Sequence, residues 1–170
     1  MPFQMIPKSS LALNWSYFRK VQTALDGSDA NALTACSMEP SNVALDAKST
    51  PGKYKVTEKF TLTVRVARSS WVVKNAIKTD AQSARLLNHE RTHYLLASCV
   101  AFDLYLEIKA REEDSAEQLQ VRLNELRATA AQHVQDLSDD YDRETQNGNL
   151  PDKQKAWELR IQRWDQSQSE

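Results

Sequence analysis

Leu87-Asn88-His89-Glu90-Arg91-Thr92-His93-Tyr94 is the stretch on which the reading of this chain turns. From Asp80 to about Arg111 there is neither Gly nor Pro. Thr79-Asp80-Ala81-Gln82 just before it has the form of a capping box. The spacing therefore predicts one long helix. On a helix, positions i and i+4 share a face, so His89 and His93 point the same way. Their stripe continues through Leu86, Leu96 and Val100, which makes it an apolar, core-facing one. Two imidazoles side by side on such a stripe need a partner, and a metal ion serves both at once. Ordinary surface histidines would not sit among leucines. Glu90 lies about 100° further round the helix. It can flank a metal without binding it and take a proton from an attacking water. This is the His-Glu-x-x-His pattern, with Zn²⁺ as the expected cofactor.

Working outward toward the C-terminus, residues Leu95 to Ile108 are apolar nearly all round, so the helix is buried on most sides. Glu112-Glu113-Asp114-Ser115 reads as a polar turn with its own cap. A second helix then runs to about Tyr141, with Leu119, Leu123, Leu126, Ala130, Val134, Leu137 and Tyr141 at helical spacing. Pro151 opens a third helix carrying Trp157, Ile161 and Trp164. A turn near Glu113 sets Gln135 level with Arg91. A third metal ligand is thus expected between His133 and Glu144. The candidates are His133, Asp136, Asp139, Asp140, Asp142 and Glu144. Asp103 is excluded, because it lies ~15 Å along the same helix from His93. Acidic side chains at a helix C-terminus oppose the helix dipole, a weak pointer to a cationic partner.

Residues 1–75 read as β-rich and 79–170 as helical, together one domain spanning 1–170. Lys55–Arg68 is the clearest strand: Phe60, Leu62, Val64 and Val66 fall on one face. Shorter candidates are Leu11–Phe18, Asn31–Ser37 and Asn42–Ala47, separated by breaks at Gly27, Pro40 and Pro51-Gly52. The expected class is α+β, with an antiparallel sheet packed on a helical hairpin. The 55–68 strand has two readings: a substrate-binding edge beside the metal, or a plain sheet strand under the helices. Trp15, Trp71, Trp157 and Trp164 read as core anchors, and Tyr141 as part of the apolar stripe.

Composition narrows the rest. The 170 residues are 41% hydrophobic and 26% charged with net charge −1, which calls for no nucleic-acid partner. No apolar run reaches the ~20 residues of a membrane span. Charge is uneven: ten Lys/Arg against five Asp/Glu in 1–75, and twelve against eighteen in 76–170. A solvated acidic helical surface accounts for it. Cys36 and Cys99 are too few for a disulfide scaffold, and a single bridge between them is left open. The first residues, MPFQMIPKSS, have no continuous apolar core of a signal peptide. The expectation is a cytoplasmic protein, or a secreted or periplasmic one whose leader has been removed.

The sequence resembles a bacterial domain-of-unknown-function family described as a predicted secreted zinc-dependent protease. The resemblance rests on Trp15 with Tyr17-Phe18, on Ser70-Trp71-Val72, and on Leu86 to Tyr94. It continues in Tyr141-Asp142-Arg143-Glu144-Thr145-Gln146-Asn147-Gly148, then Gln154 and Trp157. It implies a zincin-like metallopeptidase acting on a peptide or protein substrate. It favours Asp142 as third ligand over His133. Asn147 stands where the family pattern has His, which implies weaker activity if that side chain donates to a developing oxyanion. Two functions follow as expectations. One is a zinc hydrolase with His89, His93 and Asp142 on the metal and Glu90 as general base. The other is a non-catalytic zinc-binding or helical interaction module, whose site would be closed by four ligands.

Overall fold

The structure, a computed structural model, describes residues 3–46 and 52–167. Among the described residues, eight short strands precede three long helices: β1 Phe3–Ile6, β2 Arg19–Val21, β3 Ala32–Leu33, β4 Cys36–Ser41, β5 Leu45–Asp46, β6 Lys55–Val56, β7 Thr61–Val66, β8 Trp71–Val73, α1 Asp80–Ala110, α2 Ala116–Thr145 and α3 Pro151–Ser167. The class is α+β. The sheets are mixed, which corrects the antiparallel expectation. β7 lies between β1, parallel to it, and β4, antiparallel to it. β8 likewise pairs parallel with β2 and antiparallel with β3, and β5 and β6 form an antiparallel pair. Period-2 alternation reports which face a residue takes and not which strand lies beside it. Parallel pairing across some 55 intervening residues therefore leaves no local trace.

The alternation in β7 holds. Phe60, Leu62, Val64 and Val66 are buried against the helices, while Thr61, Thr63 and Arg65 face outward and are half-buried. Burying a side chain such as Leu62 contributes about 1.5–3 kcal/mol. Because β7 has a partner on each side, it cannot be a substrate-binding edge, and the plain-strand reading stands. Residues 55–68 are also not one strand: a turn at 58–59 separates β6 from β7.

The expected strand at Leu11–Phe18 is instead two 3-10 turns, Ser10–Ala12 and Trp15–Tyr17. Ser9 accepts a hydrogen bond from the Ala12 amide, and Asn14 one from the Ser16 amide. Such local side-chain acceptors compete with a strand ladder and win here. The Asn31–Ser37 candidate divides into β3 and the start of β4. The Asn42–Ala47 candidate shortens to β5, with Ala47 outside the described residues.

The helices follow the capping signals. Thr79 accepts from the Gln82 amide, and Ser115 from the Gln118 amide. α1 is about 46 Å long at 1.5 Å per residue. The turn before α2 is stitched to the sheet side by paired backbone hydrogen bonds between Tyr54 and Glu113, and by the Lys53–Asp114 ion pair. α2 extends one turn beyond the expected end, so Asp142 lies in its last turn and not past it. Thr145 Oγ1, donating to the Tyr141 carbonyl, and the Arg143–Asp140 pair support that turn.

Two apolar clusters result. The larger joins the sheets to α1 and α2. The smaller, Leu96, Cys99, Tyr141, Trp157 and Ile161, locks α3 against the hairpin. Trp71 and Trp157 are buried, while Trp15 and Trp164 are half-buried at the rim of the core. The two cysteines are thiols not joined in a disulfide. No helix among the described residues is long and apolar enough to cross a membrane.

Candidate metal centre

α1 and α2 run antiparallel, and their facing sides bring His89, His93 and Asp142 together. Asp142 Oδ1 lies 2.9 Å from His89 Nε2 and 2.9 Å from His93 Nε2. The two Nε2 atoms are 3.2 Å apart. Within this triangle Oδ1 can accept an N–H from each ring, and a metal ion could equally join all three atoms. The edges are close to those of a tetrahedral site: bonds of ~2.0–2.1 Å place neighbouring ligands about 3.3–3.4 Å apart. The donor set is chemically suited to a borderline metal such as zinc. The three residues could hold a metal ion. His133 is elsewhere, its ring 6.3 Å from that of Trp164. Glu144 points to α3, where its Oε2 accepts from Trp157 Nε1 at 2.8 Å.

Packing fixes both rings. His89 stacks on Tyr141 with centroids 4.6 Å apart, and His93 meets the same ring edge-on at 4.9 Å. Tyr141, fully buried, is thus the platform under the pair as well as a core residue. On the other side, Gly148 closes on His89. An ideal Cβ at Gly148 would lie 3.1 Å from His89 Cβ, Cγ and Nδ1, and the residue has φ +76°. Gln146 and Asn147 before it also take left-handed conformations, at φ 50° and 53°. Only glycine makes the third of these positions comfortable.

This makes Gly148→Ala informative. Gly27 has nearly the same φ, +75°, with nothing within 4 Å of its ideal Cβ. Gly27→Ala is expected to cost only the backbone strain, about 1–2 kcal/mol. Gly148→Ala is expected to cost more and to displace His89. Denaturant titration of both variants checks the first point, and metal affinity of Gly148→Ala the second. Equal stability losses with unchanged affinity would contradict the packing role.

Charge follows the geometry. Burial favours a neutral Asp142, but hydrogen bonds from His89 and His93, and their charge, outweigh it and hold the carboxyl far below the usual range. Burial likewise lowers His93, yet Asp142 and the charges of Glu90 and Asp139 raise it overall. Glu90 is 2% exposed, and its Oε2 accepts from Thr34 Oγ1 at 2.7 Å. Thr34 belongs to the segment between β3 and β4, and nothing in the sequence pattern points to it. Two residues on, burial and the nearby Glu90 carboxylate push the Cys36 thiol up to about 12.

The centre opens into a cleft of about 1150 Å³. His89, Glu90, His93 and Asp142 contribute to its lining, with Thr34 and Cys36 from the sheet side. The opposite wall is α2 from Asn124 to Asp142. That span is about 27 Å at 1.5 Å per residue, long enough for some eight extended residues. Asn147 also lines the cleft. No protein-family model, curated protein or solved structure matches this chain.

Proposed function

We propose that this protein is a zinc-dependent hydrolase, a metallopeptidase of zincin-like architecture. His89, His93 and Asp142 would hold the metal. The observation that carries the reading is the cluster itself: three donor atoms within 3.2 Å of one another, with a buried carboxylate on the next residue, in the lining of a long cleft. Zinc supplies Lewis acidity, polarising a carbonyl and making water easier to deprotonate. Glu90 is the general base: its carboxylate is one residue from a ligand and does not join the triangle. Asn147 offers a neutral amide donor toward developing negative charge, a weaker one than an imidazolium. Among the described residues no fourth His, Cys, Asp or Glu joins the three. That supports a position open to water and substrate, and counts against a closed structural site. The sequence resemblance to the secreted zinc-dependent protease family points the same way.

Zinc removal tests the proposal. Zinc-loaded protein is expected to cleave members of a mixed peptide library. Chelator-stripped protein should not, and added zinc should restore cleavage. Cleavage that persists after complete stripping, or none with a full zinc complement, would defeat the peptidase reading. The latter result would leave a zinc-binding module.

A further inference from the structure

We propose that Thr34 is a positioning residue for Glu90: its hydroxyl fixes one carboxylate oxygen so that the other faces the metal-ligating atoms. The inference rests on the hydrolase reading of the site. Glu90 is buried at 2% exposure, and a buried carboxylate needs a partner. Among the described residues, the hydrogen bond to its carboxylate comes from Thr34 Oγ1, at 2.7 Å to Oε2. That length is ordinary for an O–H···O hydrogen bond. It occupies Oε2 and leaves Oε1 for proton transfer.

Thr34 is itself held. Its neighbour Ala35 donates its amide to Ser70 Oγ at 3.0 Å. The Ala35 carbonyl accepts from Ser70 Oγ at 3.1 Å and from the Ala67 amide at 2.8 Å. Ser70 is fully buried. The segment that carries the hydroxyl is therefore anchored to the β7–β8 connection on the sheet side. A β-branched side chain adds few rotamers of its own. Thr34 and Glu90 are 56 positions apart, on opposite structural layers, and both line the cleft. A carboxylate fixed from across the cleft loses less orientation in the reacting geometry than one free to rotate.

The alternative, that the hydroxyl merely satisfies a buried charge, is separable. Zinc-loaded wild type, Thr34→Val, Thr34→Ser, Glu90→Gln and the Thr34→Val/Glu90→Gln double variant are titrated with acetohydroxamic acid, a zinc chelator with a proton to share with a nearby carboxylate. Thr34→Val should keep full zinc and bind the hydroxamate about 5- to 10-fold more weakly, the effect of losing one hydrogen bond of ordinary net strength. Thr34→Ser should return to within about twofold of wild type. On the Glu90→Gln background, Thr34→Val should cost nothing further, because the two act as one unit. In peptide cleavage, Thr34→Val should lower kcat about tenfold with KM nearly unchanged. Wild-type hydroxamate affinity in Thr34→Val, or additive losses in the double variant, would overturn the proposal. The expected hydroxamate pattern in a protein that cleaves no peptide would uphold Thr34 and defeat only the peptidase reading.

Discussion

His89→Ala and His93→Ala are each expected to abolish stoichiometric zinc binding. Removing one imidazole leaves two protein donors where a catalytic zinc site needs three. The lost ring also leaves its packing place against Tyr141 and cannot be replaced by another donor among the described residues. Asp142→Ala should weaken zinc by at least ~10-fold, since even residues that only support a ligand cost that much. It removes the oxygen that lies 2.9 Å from both rings. His133→Ala should leave zinc affinity unchanged, because its ring packs toward Trp164. Elemental analysis of chelator-free preparations and competition with a zinc indicator check all four. Full zinc in either histidine variant would remove the basis of the site. Equal losses from His133 and Asp142 would refute the third-ligand assignment.

Glu90→Gln is expected to keep the fold and the zinc while losing at least ~10²-fold in hydrolysis, the usual contribution of a general base. Gln matches Glu in shape, and its amide oxygen can still accept from Thr34. It cannot take a proton. Zinc content, thermal melting and peptide-library turnover are measured on the same preparation. Turnover equal to wild type would contradict the base assignment. A loss of zinc would mean that Glu90 belongs to the metal-binding set.

Much of this site is a local property of the chain. The four-residue spacing of His89 and His93 and the one-residue offset of Glu90 follow from helical pitch. The helix follows from a capped stretch free of Gly and Pro. Hairpin length then confines any residue that could join the two histidines to a window, because two antiparallel helices share one rise per residue. Asp142 falls within it, and so does His133. In the structure it is the Asp142 side chain that meets the histidines, while the His133 ring packs toward Trp164. Legible too were the buried face of β7 and the caps at Thr79 and Ser115.

The sequence alone therefore determined the helices, their order and the motif on α1, since pitch, capping and apolar periodicity act over a few residues. Only the tertiary structure decided what lies opposite. β1 and β2 insert parallel to strands more than 50 residues away, which makes the sheets mixed and puts β7 in the interior of its sheet. Tyr141 becomes the platform beneath His89 and His93, and Gly148 the lid against His89. Thr34 reaches Glu90 across 56 positions. These contacts depend on how separate layers pack, and no spacing rule within one element can carry that information.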